Sequence, residues 1–175
     1  MFTDPVKNLK QLGLRDDMIV ADLGAGTGFY TIAAGSLVPM GKVYAVEIIK
    51  DYIITIKDKA HGAHLSNIEC LWGDVEKIGG TKIKDGIVDA VIASNILFQV
   101  EDKEKFILEV KRILKVGGKV LLVDWAEASP VGPNKEKCIS KEKTLALFSK
   151  RNFVLEREID AGEHHYGMIL INKNI

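Results

Sequence analysis

Apolar residues along the chain come in runs of four to seven, separated by glycine turns and by stretches with helical spacing, and this alternation predicts repeated β/α units. Asp4-Pro5 opens a helix over about 4–13, with aspartate as N-cap and proline in the first turn. Val6, Leu9 and Leu12 share one face and Gly13 ends it. A first strand is expected over 18–23, a crossover helix over 29–38 stopped by Pro39, and a second strand over 42–47. A second crossover helix over about 51–60 is rich in β-branched isoleucine, which weakens its helical preference. A short third strand over 68–72 follows, then a stretch over 75–85 that reads as a short helix or a loop. The run 87–93 is almost continuously apolar, as in a strand buried on both faces.

Asp102 caps an amphipathic helix carrying Phe106, Ile107, Val110, Ile113 and Leu114, which Gly117-Gly118 is expected to end. A fifth strand spans 119–124, a loop runs over 126–137, and Ser140 caps a helix to Arg151. Asn152 stands where a left-handed residue closes a helix. The last two strands, 153–159 and 166–172, are joined by a short turn around 160–164, too short for a crossover, so they must be antiparallel. Five βα units and a final hairpin predict an α/β fold, a three-layer α-β-α sandwich around a mostly parallel sheet. Ligands of such sheets lie outside the carboxyl ends of the strands, beside the first one.

Composition narrows the partners. The 175 residues suit one domain spanning 1–175, with the helix at 4–13 preceding a core from about 18 onward. Lysine plus arginine balances aspartate plus glutamate at 24 each, so no net charge favours nucleic acid or a membrane surface. Cys70 and Cys138 are too few and too far apart for a disulfide framework or a metal site, which fits a reducing, cytoplasmic setting and no metal. The N-terminal residues lack the pattern of a signal peptide, and no apolar run reaches the roughly 20 residues a membrane span needs.

The candidate chemistry starts at the turn after the first strand, Asp22-Leu23-Gly24-Ala25-Gly26-Thr27-Gly28. Glycine has no Cβ and tolerates positive φ, so a ligand can approach the backbone here. Three readings are open: close helix–strand packing, a dinucleotide site, and an S-adenosylmethionine site. The dinucleotide fingerprint spaces its glycines G-x-G-x-x-G, and here the third comes one residue early, with Phe29 where a small residue is wanted. An aspartate beside a pyrophosphate would also repel it.

The stretch resembles the first motif of the class I S-adenosylmethionine-dependent methyltransferases, and other motifs follow in that family's order. Glu47 ends the second strand and matches the acid that binds the ribose hydroxyls; a carboxylate can accept two hydrogen bonds from a vicinal diol. Gly73-Asp74 matches the adenine-binding motif. The segments 88–95 and 114–123 match those of the fourth and fifth strands, with Val116 in place of a usual proline. The resemblance spans about 4–172 and implies a seven-stranded Rossmann-like sheet of order 3-2-1-4-5-7-6 with strand seven antiparallel. It implies S-adenosylmethionine as cofactor and S-adenosylhomocysteine as product. It implies cofactor contacts from Asp22, Gly24, Ala25, Gly26, Thr27, Gly28, Tyr30, Glu47, Ile48, Gly73, Asp74, Val75, Ser94 and Asn95.

No catalytic set is legible. Methyl transfer from a sulfonium expels a neutral thioether, so a base is needed only when the nucleophile arrives protonated. Strand ends place three clusters near the methyl group: Ser94, Asn95 and Ile96; Asp124 and Trp125; His164, His165 and Tyr166. Asn95, Asp124, His165 and Tyr166 are the catalytic candidates. Each has a plain structural alternative: Asp124 as a backbone anchor, Trp125 as core, the histidines as a solvated turn. His61 and His64 are expected at the surface. The acceptor, through an O, N, S or C nucleophile, is expected to be a small molecule, recognised by the first helix, the 126–137 loop and the last turn. A protein or RNA acceptor and a non-catalytic cofactor-binding subunit stay open, as does the oligomeric state.

Overall fold

A computed structural model describes residues 3–126 and 131–173. It contains α1 (Pro5–Leu12), β1 (Ile19–Leu23), α2 (Phe29–Leu37), β2 (Lys42–Glu47), α3 (Lys50–Gly62), β3 (Ile68–Trp72), β4 (Val88–Ser94), α4 (Lys103–Ile113), β5 (Leu114–Trp125), α5 (Lys141–Ser149), β6 (Phe153–Ile159) and β7 (His165–Asn172). The strands form one seven-stranded sheet in the order β3-β2-β1-β4-β5-β7-β6. β7 runs antiparallel to both β5 and β6, and the other pairings are parallel, as expected from the short final turn.

The helix signals act as read. The Asp4 carboxylate accepts from Lys7 N–H, Gly13 closes α1 at φ 76°, and Asp102 and Ser140 cap α4 and α5 through the N–H groups of Lys105 and Lys143. Asn152 takes φ 64°. α1, α2 and α3 cover one face of the sheet, with Leu9 of α1 packed among Val20, Val43, Leu121 and Ile169. α4 and α5 cover the other, with Phe106 and Phe148 packed on Leu23, Val91 and Val120. Each such fully buried side chain contributes about 1.5–3 kcal/mol.

One open alternative is decided and one expectation is corrected. The stretch over 75–85 takes the loop form. The chain between β3 and β4 forms turns and carries no helix, so one of the five βα units lacks its α element. A buried carboxylate organises it instead. Glu109 of α4 accepts from the N–H groups of Gly79 and Thr81, from the Thr81 hydroxyl and from Arg112. Arg112 in turn donates to the Ile83 carbonyl and the Asp85 carboxylate. Burial pushes the Glu109 carboxyl up, but the hydrogen bonds from Arg112, Thr81 and Gly79 outweigh it and hold it below the usual range. The correction is that Gly117-Gly118 does not end α4. β5 begins at Leu114, directly after the helix, because Leu114 pairs with Val88 and a register shift then absorbs the glycines.

Candidate functional site

Parallel pairing brings the ends of β1, β2 and β4 to one edge of the sheet, so the chemistry of three distant stretches meets at the glycine turn. The N–H groups of Gly24 and Ala25 donate to the Val46 carbonyl at 2.9 and 3.1 Å, tying the turn to β2. Gly26 adopts φ 54°, and a Cβ there would project into open space, whereas one on Gly24 would lie 2.1 Å from Ile96 Cδ1. Ile96 therefore closes directly over the turn.

The turn divides two cavities, both lined by Gly24, Gly26 and Gln99. The first, about 260 Å³, has Glu47, Ile48, Tyr52, Asp74 and Val75 in its walls. The second, about 190 Å³, has Thr3, Asp22, Phe29, Tyr30, Ser94 and Asn95. The Glu47 carboxylate accepts from Gly26 N–H through Oε2 at 2.8 Å and from the N–H groups of Ile48 and Ile49 through Oε1 at 2.8 and 2.9 Å. A carboxylate has about four lone-pair positions, so one stays free for a ligand hydroxyl, fewer than the two bonds expected for a diol. Asp74 is partly exposed. The Glu76 backbone N–H, with Lys77 beside it, holds its carboxyl below the usual range.

Asp22 is 2 % exposed and accepts from the Thr31 hydroxyl at 2.6 Å. Burial pushes its carboxyl up to about 6; the Thr31 hydrogen bond lowers it and the charge of Glu47 raises it. Tyr30 is buried, and its hydroxyl joins Asn8 Nδ2 at 2.8 Å and Thr3 Oγ1 at 3.1 Å, so α1 closes the second cavity. Asn95 takes φ 53°, and its Oδ1 is buried with no partner.

Other candidates lie apart. Thr27 is exposed and lines neither cavity; its carbonyl accepts from Lys59 Nζ. Gly28 caps α2 and lines an apolar groove outside that helix. The Asp124 carboxylate serves backbone N–H groups of Leu97 and Trp125 at 2.8 Å, and burial pushes it up to about 6 against those bonds. Tyr166 packs toward α4 and α5 and shares a hydrogen bond with Thr144. His165 is buried against Trp125. His61 and His64 are exposed. Of the 126–137 loop, residues 127–130 lie outside the described residues.

Sequence reasoning missed Tyr52, Gln99 and Thr3. Tyr52 sits in the first turn of α3, so any helix start after β2 points there. Gln99 donates to the Asn95 carbonyl from the short turn after β4. Among the described residues no cluster of three metal-ligating side chains occurs, and no helix is long and apolar enough to cross a membrane.

A family model described as a methyltransferase domain matches residues 14–167. The curated relative demethylmenaquinone methyltransferase from Bacillus mycoides is 26% identical over 130 residues, covering 74% of this chain and 54% of its own length. The chain thus spans about half the length of the curated relatives it matches. A crystal structure of a SAM dependent methyltransferase from Aquifex aeolicus is 26% identical, covers 98% of this chain and 90% of its own, and superposes with a TM-score of 0.89. Geranyl diphosphate C-methyltransferase from Streptomyces coelicolor, in complex with S-adenosyl-L-homocysteine, shares the fold at 14% identity and a TM-score of 0.79, over 96% of this chain and 79% of its own.

Proposed function

Since the chain belongs to the class I S-adenosylmethionine-dependent methyltransferases, we propose that it binds S-adenosylmethionine across the two cavities and methylates a small molecule at an O, N, S or C nucleophile. The observation that carries this reading is the glycine turn shared by both cavities, with Glu47 and Asp74 on one side and Asp22 and Asn95 on the other. The residues fit the cofactor. The open space beside Gly26 accepts a ligand against the backbone, and the unpaired Asn95 Oδ1 awaits a donor.

In this reading Glu47 holds a ribose hydroxyl and Asp74 the adenine amine, while Ile48, Val75 and Tyr52 flank the base. Asp22 faces the cationic methionine end, where an ionised carboxylate is most useful. S-adenosylmethionine supplies a methyl group on a positively charged sulfur. The chain's own contribution is alignment and exclusion of water, effects worth several kcal/mol, up to roughly 7–11 in well-oriented systems. Thr3, just ahead of α1, and the Asn8–Tyr30 pair limit entry of solvent on the acceptor side. A small acceptor is supported by the curated relatives, whose names specify demethylmenaquinone.

Thermal unfolding with and without S-adenosylmethionine or S-adenosylhomocysteine tests the binding. A ligand of the native state must raise Tm with concentration. Gly26→Ala, whose Cβ fills the ligand's space, should abolish the rise. No shift at millimolar concentrations of either compound would sink the proposal. Release of S-adenosylhomocysteine across an acceptor panel then reads turnover.

A further inference from the structure

The turn after β4, residues 95–100, walls both cavities at once. Ile96, Gln99 and Val100 line the first, and Asn95 and Gln99 line the second. Asn95 holds a left-handed φ of 53°, which is unfavourable for a residue with a Cβ. Its Oδ1 is buried without a partner, and the next side chain, Ile96, closes over Gly24. A strained residue beside a ligand cavity persists only where its surroundings hold it there.

Two elements hold this turn. β5 does so twice: the Val123 carbonyl accepts from Asn95 N–H at 2.8 Å, and Asp124 Oδ2 accepts from Leu97 N–H at 2.8 Å. α4 holds the far end, where Lys103 Nζ donates to the Val100 carbonyl at 2.8 Å. Between these anchors Gln99 Nε2 reaches back to the Asn95 carbonyl at 3.0 Å. Asp124 is the costly member of the set. It is 2 % exposed, and Lys103 is the cation that offsets part of its burial. Folding alone is often served as well by an apolar residue at such a place. A charged acceptor makes a shorter and stronger bond than a neutral one. Here that bond fixes an N–H one residue from Ile96 and two from Asn95.

We propose that Asp124 is a positioning residue for the amino-acid arm of the cofactor: with Lys103 at the far end, it pins the 95–100 turn so that Asn95 Oδ1 stands in the second cavity as an acceptor for the arm's α-ammonium group. This rests on the methyltransferase reading above. Asp124 touches no ligand itself, since its two oxygens serve the N–H groups of Leu97 and Trp125. The ammonium group meets two acceptors of the second cavity, the Asp22 carboxylate and the Asn95 amide oxygen. The adenosine half bonds to Glu47 and Asp74 on other elements, so a loosened turn costs the arm more than the base.

Calorimetric titration with two ligands tests this. S-adenosylhomocysteine carries the arm; 5′-methylthioadenosine shares the adenosine and the sulfur but lacks it. Asp124→Asn sets an amide N–H₂ against a backbone N–H. It should weaken S-adenosylhomocysteine by about tenfold or more and leave 5′-methylthioadenosine within about twofold. Asn95→Ala should lose the same increment, and the double variant no more than either single one, because both act on one contact. Lys103→Met, at a half-buried position, should give a smaller selective loss of about threefold. A merely structural role lowers Tm and weakens both ligands alike. Any of three results overturns the assignment: equal losses for the two ligands, S-adenosylhomocysteine affinity unchanged in Asp124→Asn, or additive losses in the double variant. Should Asp124→Asn not fold, Lys103→Met decides: a selective loss supports the assignment, and a parallel or absent loss overturns it. A wild type that fails to bind S-adenosylhomocysteine overturns the methyltransferase reading instead.

Discussion

The Glu47 carboxylate accepts a hydrogen bond from the backbone N–H of Gly26 at 2.8 Å, so the acid that ends β2 grips the turn that follows β1. Its other oxygen accepts from Ile48 and Ile49, which makes it an acceptor on both sides. Glutamine offers one carbonyl and one amide N–H₂ and must face an N–H with an N–H. Glu47→Gln should therefore lower S-adenosylmethionine affinity by about tenfold or more, near the 1.5–3 kcal/mol of a hydrogen bond to a charged group. Calorimetric titration checks this, and equal affinities would remove Glu47 from the site.

Asp22 makes cofactor binding depend on pH. Its carboxyl is pushed up to about 6 in the folded protein, and a cationic ligand prefers the ionised form. Affinity should fall as pH drops through about 6, approaching tenfold per pH unit, and Asp22→Asn should bind weakly at every pH. Titrations between pH 5 and 8 decide this.

The same shift gives a stability effect of defined sign. The folded protein binds this proton more tightly than the unfolded chain, so the stabilisation is complete below about 4 and is lost as pH rises through about 6. The shift from 3.8 to about 6 corresponds to on the order of 3 kcal/mol. Asp124 acts in the same direction. In urea unfolding, ligand-free wild type should lose more stability between pH 5 and pH 8 than Asp22→Asn does. Parallel losses would show that the Asp22 charge is not strained.

Glu109 should matter for folding alone. Removing it strands Arg112 and the N–H groups of Gly79 and Thr81 in the connection from β3 to β4. Glu109→Ala should cost about 3–5 kcal/mol, a fall in Tm on the order of 10 °C. A change below 1 kcal/mol would mean that turns alone hold the segment.

Much of this was legible because it is local. Asp4, Gly13, Asp102, Ser140 and Asn152 act within one turn of their own helices, so neighbouring residues suffice to read them. The antiparallel pairing of the last two strands followed from one short final turn, whereas the order of the strands came from the family resemblance. Whether the β3–β4 connection is helix or loop was not legible, because its organiser, Glu109, lies about thirty residues away on α4. Leu114 looked like the last helical residue until its pairing with Val88 made it the first of β5.

The sequence by itself determined the elements, the glycine turn and which acids stand at the ends of β1, β2 and β3, since propensity, capping and period-two patterning are short-range. Only the tertiary structure decided what those acids face. It gave Glu47 to the turn, Asp22 to Thr31 and Asp124 to the loop after β4, and left His165 buried beside Trp125 with both nitrogens unpaired. The reason is physical: a side chain's partners and its desolvation are set by strands far apart in the chain, and no local pattern encodes them.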